Sequence, residues 1–184
     1  IQNLEKHKEF TFLFVANLVP EKGCDILIKA FKMCLQKYPN IKLRIGGSGI
    51  ESKSLKELTR LLDIQSRVTF MGRLSREAVR NEMQQAHFFV VPSLIESFGI
   101  VFIESMAMGT PVLTTTVVSE SIITSGTGIL VNYESVEDLE KGMLKALKTV
   151  NEFNPDVLIS HVKKMFAKDI VYEKLKNVYN EILR

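Results

Sequence analysis

One segment of this sequence combines acidic side chains with a backbone suited to an anion. Phe98-Gly99-Ile100 opens a predicted helix, so its N–H groups have no partner within the helix and can bind a phosphate. Glu104 lies about one turn into that helix, and Glu96 lies eight residues earlier in the loop. A carboxylate in an otherwise apolar helix is costly to bury unless it accepts hydrogen bonds, and vicinal sugar hydroxyls are suitable donors. The segment predicts a site for phosphate and sugar, with a capping acid and a surface acid as the alternative.

Two further loops follow predicted strands and could meet the same ligand. Lys22 stands at the opening of the next predicted helix, where the dipole prefers an anion, and a lone lysine there is commonly just solvated. The run Gly46-Gly47-Ser48-Gly49 would let the backbone approach a ligand closely, although a plain turn is the alternative. A dinucleotide-binding fingerprint would require another glycine three residues after Gly49, and Ser52 occupies that place. Neither loop identifies a function by itself.

Several other chemistries are excluded because their motifs are absent. The sequence has no Gly-x-Ser-x-Gly, no P-loop, no His-Glu-x-x-His and no Asp-x-Asp pair for a metal-bound diphosphate. His7, His87 and His161 are scattered, and His87 opens a predicted buried strand, which favours a structural role. Cys24 and Cys34 lie ten residues apart in one predicted helix, about 15 Å along its axis, which is too far for a disulfide. We expect two buried thiols in a reducing compartment, and no metal site.

The charge balance offers no surface for nucleic acid. The net charge is +3 over 184 residues, and residues 160–184 account for the whole excess, with six basic and three acidic side chains. The remainder is balanced and has no basic face for the phosphates of DNA or RNA. Apolar residues make up 46% and charged residues 24%, the mix of a globular domain. No apolar run approaches the roughly 18 residues needed to span a bilayer.

The elements that must position the candidate residues alternate between short apolar runs and longer amphipathic stretches. The apolar runs predict strands at 10–16, 41–45, 67–71, 87–91, 111–115 and 128–131. The amphipathic stretches predict helices at 22–38, from about 51, at 76–85 and at 100–108, then one helical turn at 120–124. This alternation predicts an α/β domain whose parallel sheet of about six strands is doubly wound, with ligands beyond the carboxyl ends of the strands.

The chain is predicted to be helical from Ser135 to its end. Ser135 and Asp138 have the spacing of a capping box, and Pro155 opens a further helix. The last helix carries apolar residues at helical spacing: Leu175, Val178, Tyr179 and Ile182. These C-terminal helices complete a single predicted domain over residues 1–184, without repeats or low-complexity linkers.

Four segments of the sequence resemble one known family. They are VANLVPEKG at 15–23, IGGSG at 45–49, VTFMG at 68–72, and the long, highly specific run AHFFVVPSLIESFGIVFIESMAMGTPVL at 86–113. They resemble the donor half of family-four (group 1) retaining glycosyltransferases of the GT-B fold, and the resemblance extends from about Phe10 to the end. In that family two Rossmann-like domains face a cleft. The N-terminal domain holds the acceptor, and the C-terminal domain holds a nucleotide-diphosphate sugar without a metal.

The resemblance implies catalytic and donor-binding roles for particular residues. Lys22 matches the lysine that neutralises the diphosphate as the sugar bond breaks, which is charge stabilisation rather than proton transfer. Glu96 matches the acid that contacts the donor sugar, and Glu104 matches the acid that binds the ribose hydroxyls. These three side chains are therefore the expected centre of the site.

Backbone positions complete the site that the resemblance implies. Phe98, Gly99 and Ile100 would cradle the sugar and phosphates, and Gly47 would approach the phosphates closely. Arg73, in the loop Met71-Gly72-Arg73-Leu74, would lie beside the base. All of these positions are expected to bind the donor.

Two positions depart from the family pattern. The family usually has Gly-Arg before Leu-x-x-x-Lys-Gly, but this chain has Ala16-Asn17, so the donor-binding position Asn17 lacks the second cation for the diphosphate. A Gly-Gly-x-x-Glu loop is expected later, and this chain has Val117-Val118-Ser119-Glu120. Because of Asn17, a degenerate module that binds nucleotide sugars without transferring them is one alternative. A fragment of a nucleotide-dependent epimerase or reductase is another, and the missing glycine at Ser52 argues against it.

The expected function is therefore that of the nucleotide-sugar-binding half of a retaining glycosyltransferase. It would transfer a hexose-type sugar to an acceptor hydroxyl in glycan or polysaccharide biosynthesis, with the nucleotide sugar as donor substrate and no metal or other cofactor. Because Ile1 is not a methionine, we expect this chain to be cut from a longer one whose N-terminal acceptor domain is its partner. The isolated chain is expected to be inactive. The full-length enzyme is expected in the cytoplasm, with association at the inner face of the membrane.

Overall fold

The computed structural model describes residues 4–183, so Ile1 lies outside the described residues. Six parallel strands form one sheet in the order β3-β2-β1-β4-β5-β6. The strands are β1 (Phe10–Val15), β2 (Ile41–Gly46), β3 (Val68–Gly72), β4 (Phe88–Val91), β5 (Val112–Thr115) and β6 (Gly128–Val131). The chain therefore winds outward from β1 in one direction and from β4 in the other. The predicted doubly wound parallel sheet is confirmed.

Helices cover both faces of the sheet. They are α1 (Cys24–Lys37), α2 (Ser52–Leu61), α3 (Arg76–Gln85), α4 (Ile100–Ala107), α5 (Val136–Thr149), α6 (Pro155–Phe166) and α7 (Lys168–Ile182). Helix α1 packs against α2 and α5, whereas α4 packs against α3 and α6, so two helical layers enclose the strands. No helix within residues 4–183 is both long and apolar enough to cross a bilayer.

The core lies around the two central strands. Phe12, Leu13 and Phe14 of β1 and Phe88 and Phe89 of β4 have no solvent exposure. A strand that is covered on both faces has no polar side to alternate with, which is why these segments are continuous apolar runs. Both free thiols, predicted to be buried, are confirmed as buried on α1. Burial raises the pKa of Cys34 to about 12, so this thiol is inert at neutral pH.

The start of α1 differs from the sequence prediction. Residues 20–22 form a short 3-10 turn, and α1 begins only at Cys24, so Lys22 precedes the helix rather than opening it. Gly23 separates the two elements with φ +63°, and a Cβ there would lie 2.4 Å from the Pro92 carbonyl oxygen. Only glycine permits this conformation and this approach at once. The turn that carries Lys22 is thereby pressed against the loop that follows β4.

The second half of the chain corrects one smaller prediction and refines two others. The helical turn predicted at 120–124 is a single hydrogen-bonded turn, in which the Ser119 carbonyl accepts from the Ile122 and Ile123 N–H groups. Ser135 accepts a hydrogen bond from the Asp138 N–H as predicted, but the Asp138 carboxylate binds Asn132 and Lys141 instead of completing the capping box. Helix α7 forms, yet its apolar stripe is exposed to solvent and not packed into the core.

Candidate active site

A cleft of about 590 Å³ opens at the carboxyl ends of the central strands. Seven of the nine predicted site residues line it: Asn17, Lys22, Gly47, Arg73, Glu96, Gly99 and Ile100. The other two lie beside it. Phe98 lines an adjoining cavity of about 220 Å³, and Glu104 lines another of about 580 Å³. The fold therefore gathers loops from across the chain at one edge of the sheet, where doubly wound folds bind ligands.

Lys22 and Glu96 form an ion pair within the cleft. The Lys22 Nζ lies 2.8 Å from the Glu96 Oε2, and 74 residues separate the two side chains in the sequence. Their loops are joined through the backbone, since the Leu94 N–H donates to the Glu21 carbonyl at 2.8 Å. The lysine side chain is 26% exposed and the glutamate 11%. The pair is shielded enough for its attraction to matter and open enough for a ligand to reach it.

Several donors hold Glu96 in its charged form. Burial alone would raise the pKa of this carboxyl, but Lys22 and the N–H groups of Ser97 and Gly99 outweigh burial and lower the pKa below its ordinary value. The Ser97 N–H donates to Oε1 at 3.1 Å, and the buried Ser93 hydroxyl lies 3.5 Å from Oε2. A carboxylate with this many donors is an oriented acceptor at neutral pH.

The N-terminus of α4 is only partly free for a ligand. Gly99 is its N-cap residue, and no side chain caps the helix. The Ser97 and Gly99 N–H groups already face the Glu96 carboxylate. The N–H groups of Ile100 and Val101 have no acceptor within the helix, and both residues line the cleft. An incoming phosphate would meet these two groups directly and would compete with Glu96 for the others.

Gly47 is required by the packing of two loops. It has φ +125°, and a Cβ there would lie 1.9 Å from the Ala16 carbonyl oxygen. The Gly47 N–H also donates to the Gly72 carbonyl at 2.7 Å, which ties the loop after β2 to the end of β3. The close approach predicted for this glycine thus includes contacts within the protein, and the same loop lines the cleft.

Asn17 and Arg73 are exposed side chains on the rim of the cleft. Asn17 follows β1 and Arg73 follows β3, on either side of the Gly47 loop. Arg73 lines the same cavity as Lys22, so the cleft contains two side-chain cations even though Asn17 carries no charge. The family resemblance implied only that Arg73 lies beside the base, and it did not predict that Arg73 would line the same cleft as Lys22.

Glu104 is exposed, so the expected cost of burying it does not arise. The buried face of α4 consists of Phe102, Ser105 and Met106, and Glu104 lies off that face. Its cavity, of about 580 Å³, shares four wall residues with the main cleft and continues it between α3 and α4. Its carboxylate is therefore available to a ligand that extends out of the cleft.

Three polar residues of the site were not identified from the sequence. Ser93 is fully buried, and its carbonyl accepts a hydrogen bond from the Thr115 hydroxyl, so β5 anchors the residue whose hydroxyl lies near Glu96. Arg76 and Arg80 lie one helical turn apart on α3 and line the cavity of Glu104. Their spacing of four residues was the available signal, but a pair of exposed arginines on a helix is common on any surface.

The predicted structural role of His87 is confirmed. Its Nδ1 accepts a hydrogen bond from the Thr11 N–H at 3.1 Å, and its ring stacks on Phe10 at 4.8 Å between centroids. Burial, together with the nearby Lys6 and His7, lowers the pKa of His87 to about 4. No cluster of three acidic, histidine or cysteine side chains suited to a metal ion occurs within the described residues 4–183.

Curated relatives of the chain are glycosyltransferases. A human protein named as a phosphatidylinositol N-acetylglucosaminyltransferase component is 30% identical over 180 residues, which are 96% of this chain and 37% of that protein. The Staphylococcus aureus capsular polysaccharide biosynthesis glycosyltransferase CapM is 31% identical over 189 residues, covering 95% of this chain and 47% of the relative. The chain therefore spans less than half the length of these two relatives.

Solved structures have the same fold. Sucrose-phosphate synthase from Thermosynechococcus elongatus superposes with a TM-score of 0.83 at 25% identity, over 96% of this chain and 46% of that one. Staphylococcus aureus TarM, in a complex that contains UDP, superposes with a TM-score of 0.82 at 17% identity, over 98% of this chain and 38% of that one. The sequence pattern of the family described as "Glycosyl transferases group 1" matches residues 1–165. The chain belongs to this family of group 1 glycosyltransferases, and its Rossmann-like fold is that of one half of a GT-B enzyme.

Proposed function

We propose that this chain is the donor-binding half of a retaining glycosyltransferase that builds a glycan or polysaccharide. The donor would be a nucleoside diphosphate sugar, and a hexose-type unit would pass to an acceptor hydroxyl. The observation that carries the proposal is the Lys22–Glu96 ion pair, set beside free helix N–H groups in a cleft at the carboxyl edge of the sheet. Cations and N–H groups that face a developing negative charge are what departure of a diphosphate requires.

The ion pair suggests how the charges would be used. As the bond between the sugar C1 and the diphosphate oxygen breaks, the electron pair leaves with the diphosphate, and Lys22 would turn from Glu96 to the departing oxygens. Glu96 would then accept hydrogen bonds from the sugar, with its N–H donors keeping it oriented. The acceptor oxygen bonds to C1, and its proton passes to the departing diphosphate oxygen. Neither side chain carries that proton, so their contribution is electrostatic.

Calorimetry with uridine, guanosine and adenosine diphosphates, compared with NAD, tests the proposal. We expect one of the diphosphates to bind and NAD to bind more weakly. The isolated chain should transfer no sugar, because it provides one wall of the cleft and so lacks the roughly 7–11 kcal/mol that comes from holding both reactants together. Transfer by the purified 184-residue chain would contradict the assignment of the acceptor to a missing half. A preference for NAD would favour an epimerase or reductase fragment instead.

Substitution of Glu104 tests the placement of the ribose. Loss of charge-assisted hydrogen bonds in Glu104→Ala should weaken diphosphate binding by roughly 1.5–3 kcal/mol per bond before water compensates. Glu104→Gln keeps the shape and should cost less. Because Glu104 is exposed, neither variant should lower the melting temperature. Equal affinity of the wild type and Glu104→Ala for the diphosphate would mean that Glu104 does not contact the ligand.

A binding module without transferase activity is the second candidate, and Asn17 favours it. Asn17 lines the cleft where the family usually supplies an arginine, so one phosphate cation is missing there. Arg73 on the opposite rim is a candidate replacement. The discriminating experiment is sugar transfer by the full-length protein, in the wild type and in Arg73→Gln. A full-length protein that binds the nucleotide sugar but never transfers it would favour the module.

The partners of the site follow from the same proposal. The nucleotide sugar is the donor, and the missing N-terminal half of the enzyme would supply the acceptor. The exposed apolar stripe of α7, which includes Leu175 and Tyr179, is a surface available to that half. We propose a cytoplasmic location, including the inner face of the membrane, because unpaired thiols such as Cys24 are usual in a reducing compartment. We expect no nucleic acid to take part.

A further inference from the structure

A smaller cavity of about 220 Å³ adjoins the cleft at Glu96. Its walls come from the loop after β4, the loop between β5 and β6, and the last turn of α6. Glu96 lines both spaces, so the cavity and the space around Lys22 meet at this residue. A group bound at Glu96 therefore has this cavity beside it.

Most of the cavity wall is apolar. Its apolar residues are Phe98, Val117, Val118, Ile122, Met165 and Phe166. The two valines occupy the place where the family resemblance predicts a glycine pair, so this chain has side chains where backbone alone is expected. Val118 is only 2% exposed, and a β-branched side chain is stiff at χ1. The departure from the family pattern therefore produces a fixed hydrophobic surface.

The walls are also held in place from the side of α6. Phe98 packs edge-on against Phe166, with ring centroids 6.2 Å apart. The His161 Nε2 lies 3.1 Å from the Ile122 carbonyl oxygen and links α6 to the loop between β5 and β6. A cavity of about 220 Å³ far exceeds the roughly 10–15 Å³ that one water requires, so it has room for a small substituent.

We propose that this cavity receives a methyl-bearing substituent of the donor sugar, either an acetamido group or the methyl of a 6-deoxy sugar. The inference rests on the proposed function, because it takes Glu96 as the residue that holds the donor sugar. The wall also contains Ser97, Ser119 and Ser121, which can bond to the amide of an acetamido group. On the side of Val117 and Val118, a sugar hydroxyl would lose its hydrogen bonds to water without replacement, whereas a methyl group would be buried favourably. The cavity thus selects the sugar, while Lys22 and the helix N–H groups bind its diphosphate.

Paired isotherms on the 184-residue chain test the proposal and separate the two substituents. One pair is UDP-N-acetylglucosamine against UDP-glucose, and the other is GDP-6-deoxymannose against GDP-mannose. We expect the methyl-bearing member of at least one pair to bind about tenfold more tightly, within the 10–200-fold range of hydrophobic pockets. Preference in the first pair identifies an acetamido sugar, and preference in the second a 6-deoxy sugar. Equal affinities, or tighter binding of the hydroxyl-bearing members in both pairs, would overturn the proposal.

Two substitutions of Val117 locate the preference in the cavity. Val117→Thr replaces a methyl group by a hydroxyl at nearly the same volume and should reduce the preference toward unity. Val117→Phe should fill the cavity and weaken the methyl-bearing donor most. Val157→Thr makes the first change at a half-exposed position of α6 and should leave the preference intact. If a Val117 variant lowers the affinity for both members of a pair equally, Val117 does not cause the preference between them.

Plain diphosphates distinguish failure of this inference from failure of the proposed function. Their affinity should be the same in wild type and in both Val117 variants, because Lys22 and the Ile100 N–H lie in the main cleft. Binding of UDP or GDP without any preference between sugars contradicts the cavity assignment alone. Absence of binding to either diphosphate contradicts both proposals.

Discussion

Both ends of the sheet hold titratable side chains, but they use them differently. At the amino ends of the strands, Lys6 donates to the Ala86 carbonyl at 2.6 Å and to the Thr110 hydroxyl oxygen at 2.9 Å. The His87 ring accepts from the Thr11 N–H. At the carboxyl ends, Lys22 has Glu96 as its partner, and the pair borders a cleft of about 590 Å³.

This difference separates structural polar groups from binding groups. Lys6 and His87 are bonded to fixed backbone groups or to a buried hydroxyl, so exchanging these partners for a ligand would disrupt the fold. Lys22 is bonded to the Glu96 carboxylate, which keeps the Ser97 and Gly99 N–H groups as donors when Lys22 exchanges it for a phosphate. A perturbed pKa occurs at both ends, so a perturbed pKa alone does not indicate function. The open space beside the ion pair is what distinguishes the carboxyl end.

The largest effect is expected from adding a Cβ to the backbone that shapes the cleft. Gly47→Ala should destabilise the fold by about 4 kcal/mol, because the new atom would lie 1.9 Å from the Ala16 carbonyl oxygen at a φ of +125°. Gly72→Ala is the matched control, since its φ is +69° but no atom lies within 4 Å. It should cost only about 1–2 kcal/mol. Urea denaturation of both variants measures the difference in their free energies of unfolding. Similar losses of stability would mean that the backbone near Gly47 shifts and relieves the steric contact.

Exchanging each lysine for methionine should separate stability from binding. Lys22→Met should weaken nucleoside diphosphate binding by about 1.5–3 kcal/mol, the value of a hydrogen bond to a charged group. Its effect on stability should be about 1 kcal/mol or less, because the Ser97 and Gly99 N–H groups still face Glu96. Calorimetry and thermal melts on the same preparation measure the two quantities.

Lys6→Met should show the opposite pattern. It leaves the Ala86 carbonyl and the Thr110 hydroxyl oxygen without this donor, which should cost about 1–3 kcal/mol of stability. Diphosphate affinity should not change, since Lys6 does not line the cleft. If both lysine variants altered both quantities alike, the distinction between the two ends of the sheet would fail.

The sequence was sufficient to predict the sheet but not the meeting of Lys22 with Glu96. The sequence predicted each strand to within one or two residues. Central strands such as β4 are buried on both faces and therefore lack polar alternation, whereas β2 alternates apolar and charged residues. The ion pair depends on β1 lying next to β4, a neighbour relation that hydrophobic periodicity does not contain. It also depends on the approach of Gly23 to Pro92, which is a tertiary contact.

Glu104 illustrates the same limit for a single side chain. Its neighbours in the sequence are almost all apolar, so the sequence suggested a buried acid. In the fold, Phe102 and Met106 form the buried face of α4, while Ile100 and Glu104 are exposed, Ile100 by 63%. Only the packing of α4 between α3 and α6 decides which side of an apolar helix faces solvent.

The amino end of the sheet should make the stability of the fold depend on pH, because His87 lies there. The pKa of His87 is about 4 in the folded chain against an ordinary 6.5, so the unfolded chain binds more protons between these values. Stability should therefore fall as pH drops from 7.5 to 5, by about 1–2 kcal/mol after allowance for the partly exposed ring. Urea midpoints at the two pH values measure this loss. In His87→Gln, which does not titrate, much of the pH dependence should vanish, with His7 as the remaining nearby group. An unchanged pH dependence would assign the effect to other residues.

The smallest expected effect is a gain at the carboxyl end. Asn17 is exposed on the rim of the cleft that contains Lys22, so Asn17→Arg should add a cation where the family usually has one. An arginine fork can bind two phosphate oxygens, which an asparagine amide cannot imitate. We expect tighter binding of the nucleoside diphosphate by about 1 kcal/mol, less than the roughly 1.5–3 kcal/mol of a hydrogen bond to a charged group, because Arg73 already lines the same cleft.

The bare nucleoside serves as the control for Asn17→Arg. Its affinity should not change, since its contacts are proposed at Glu104 and in the Arg73 loop. A gain for the diphosphate that persists in Arg73→Gln would mean that the two arginines act on the phosphates independently. A larger gain in Arg73→Gln than in the wild type would mean that Arg73 already serves the phosphates. An equal gain for nucleoside and diphosphate would instead place Asn17 away from the phosphates, and its departure from the family pattern would then carry no charge effect on the donor.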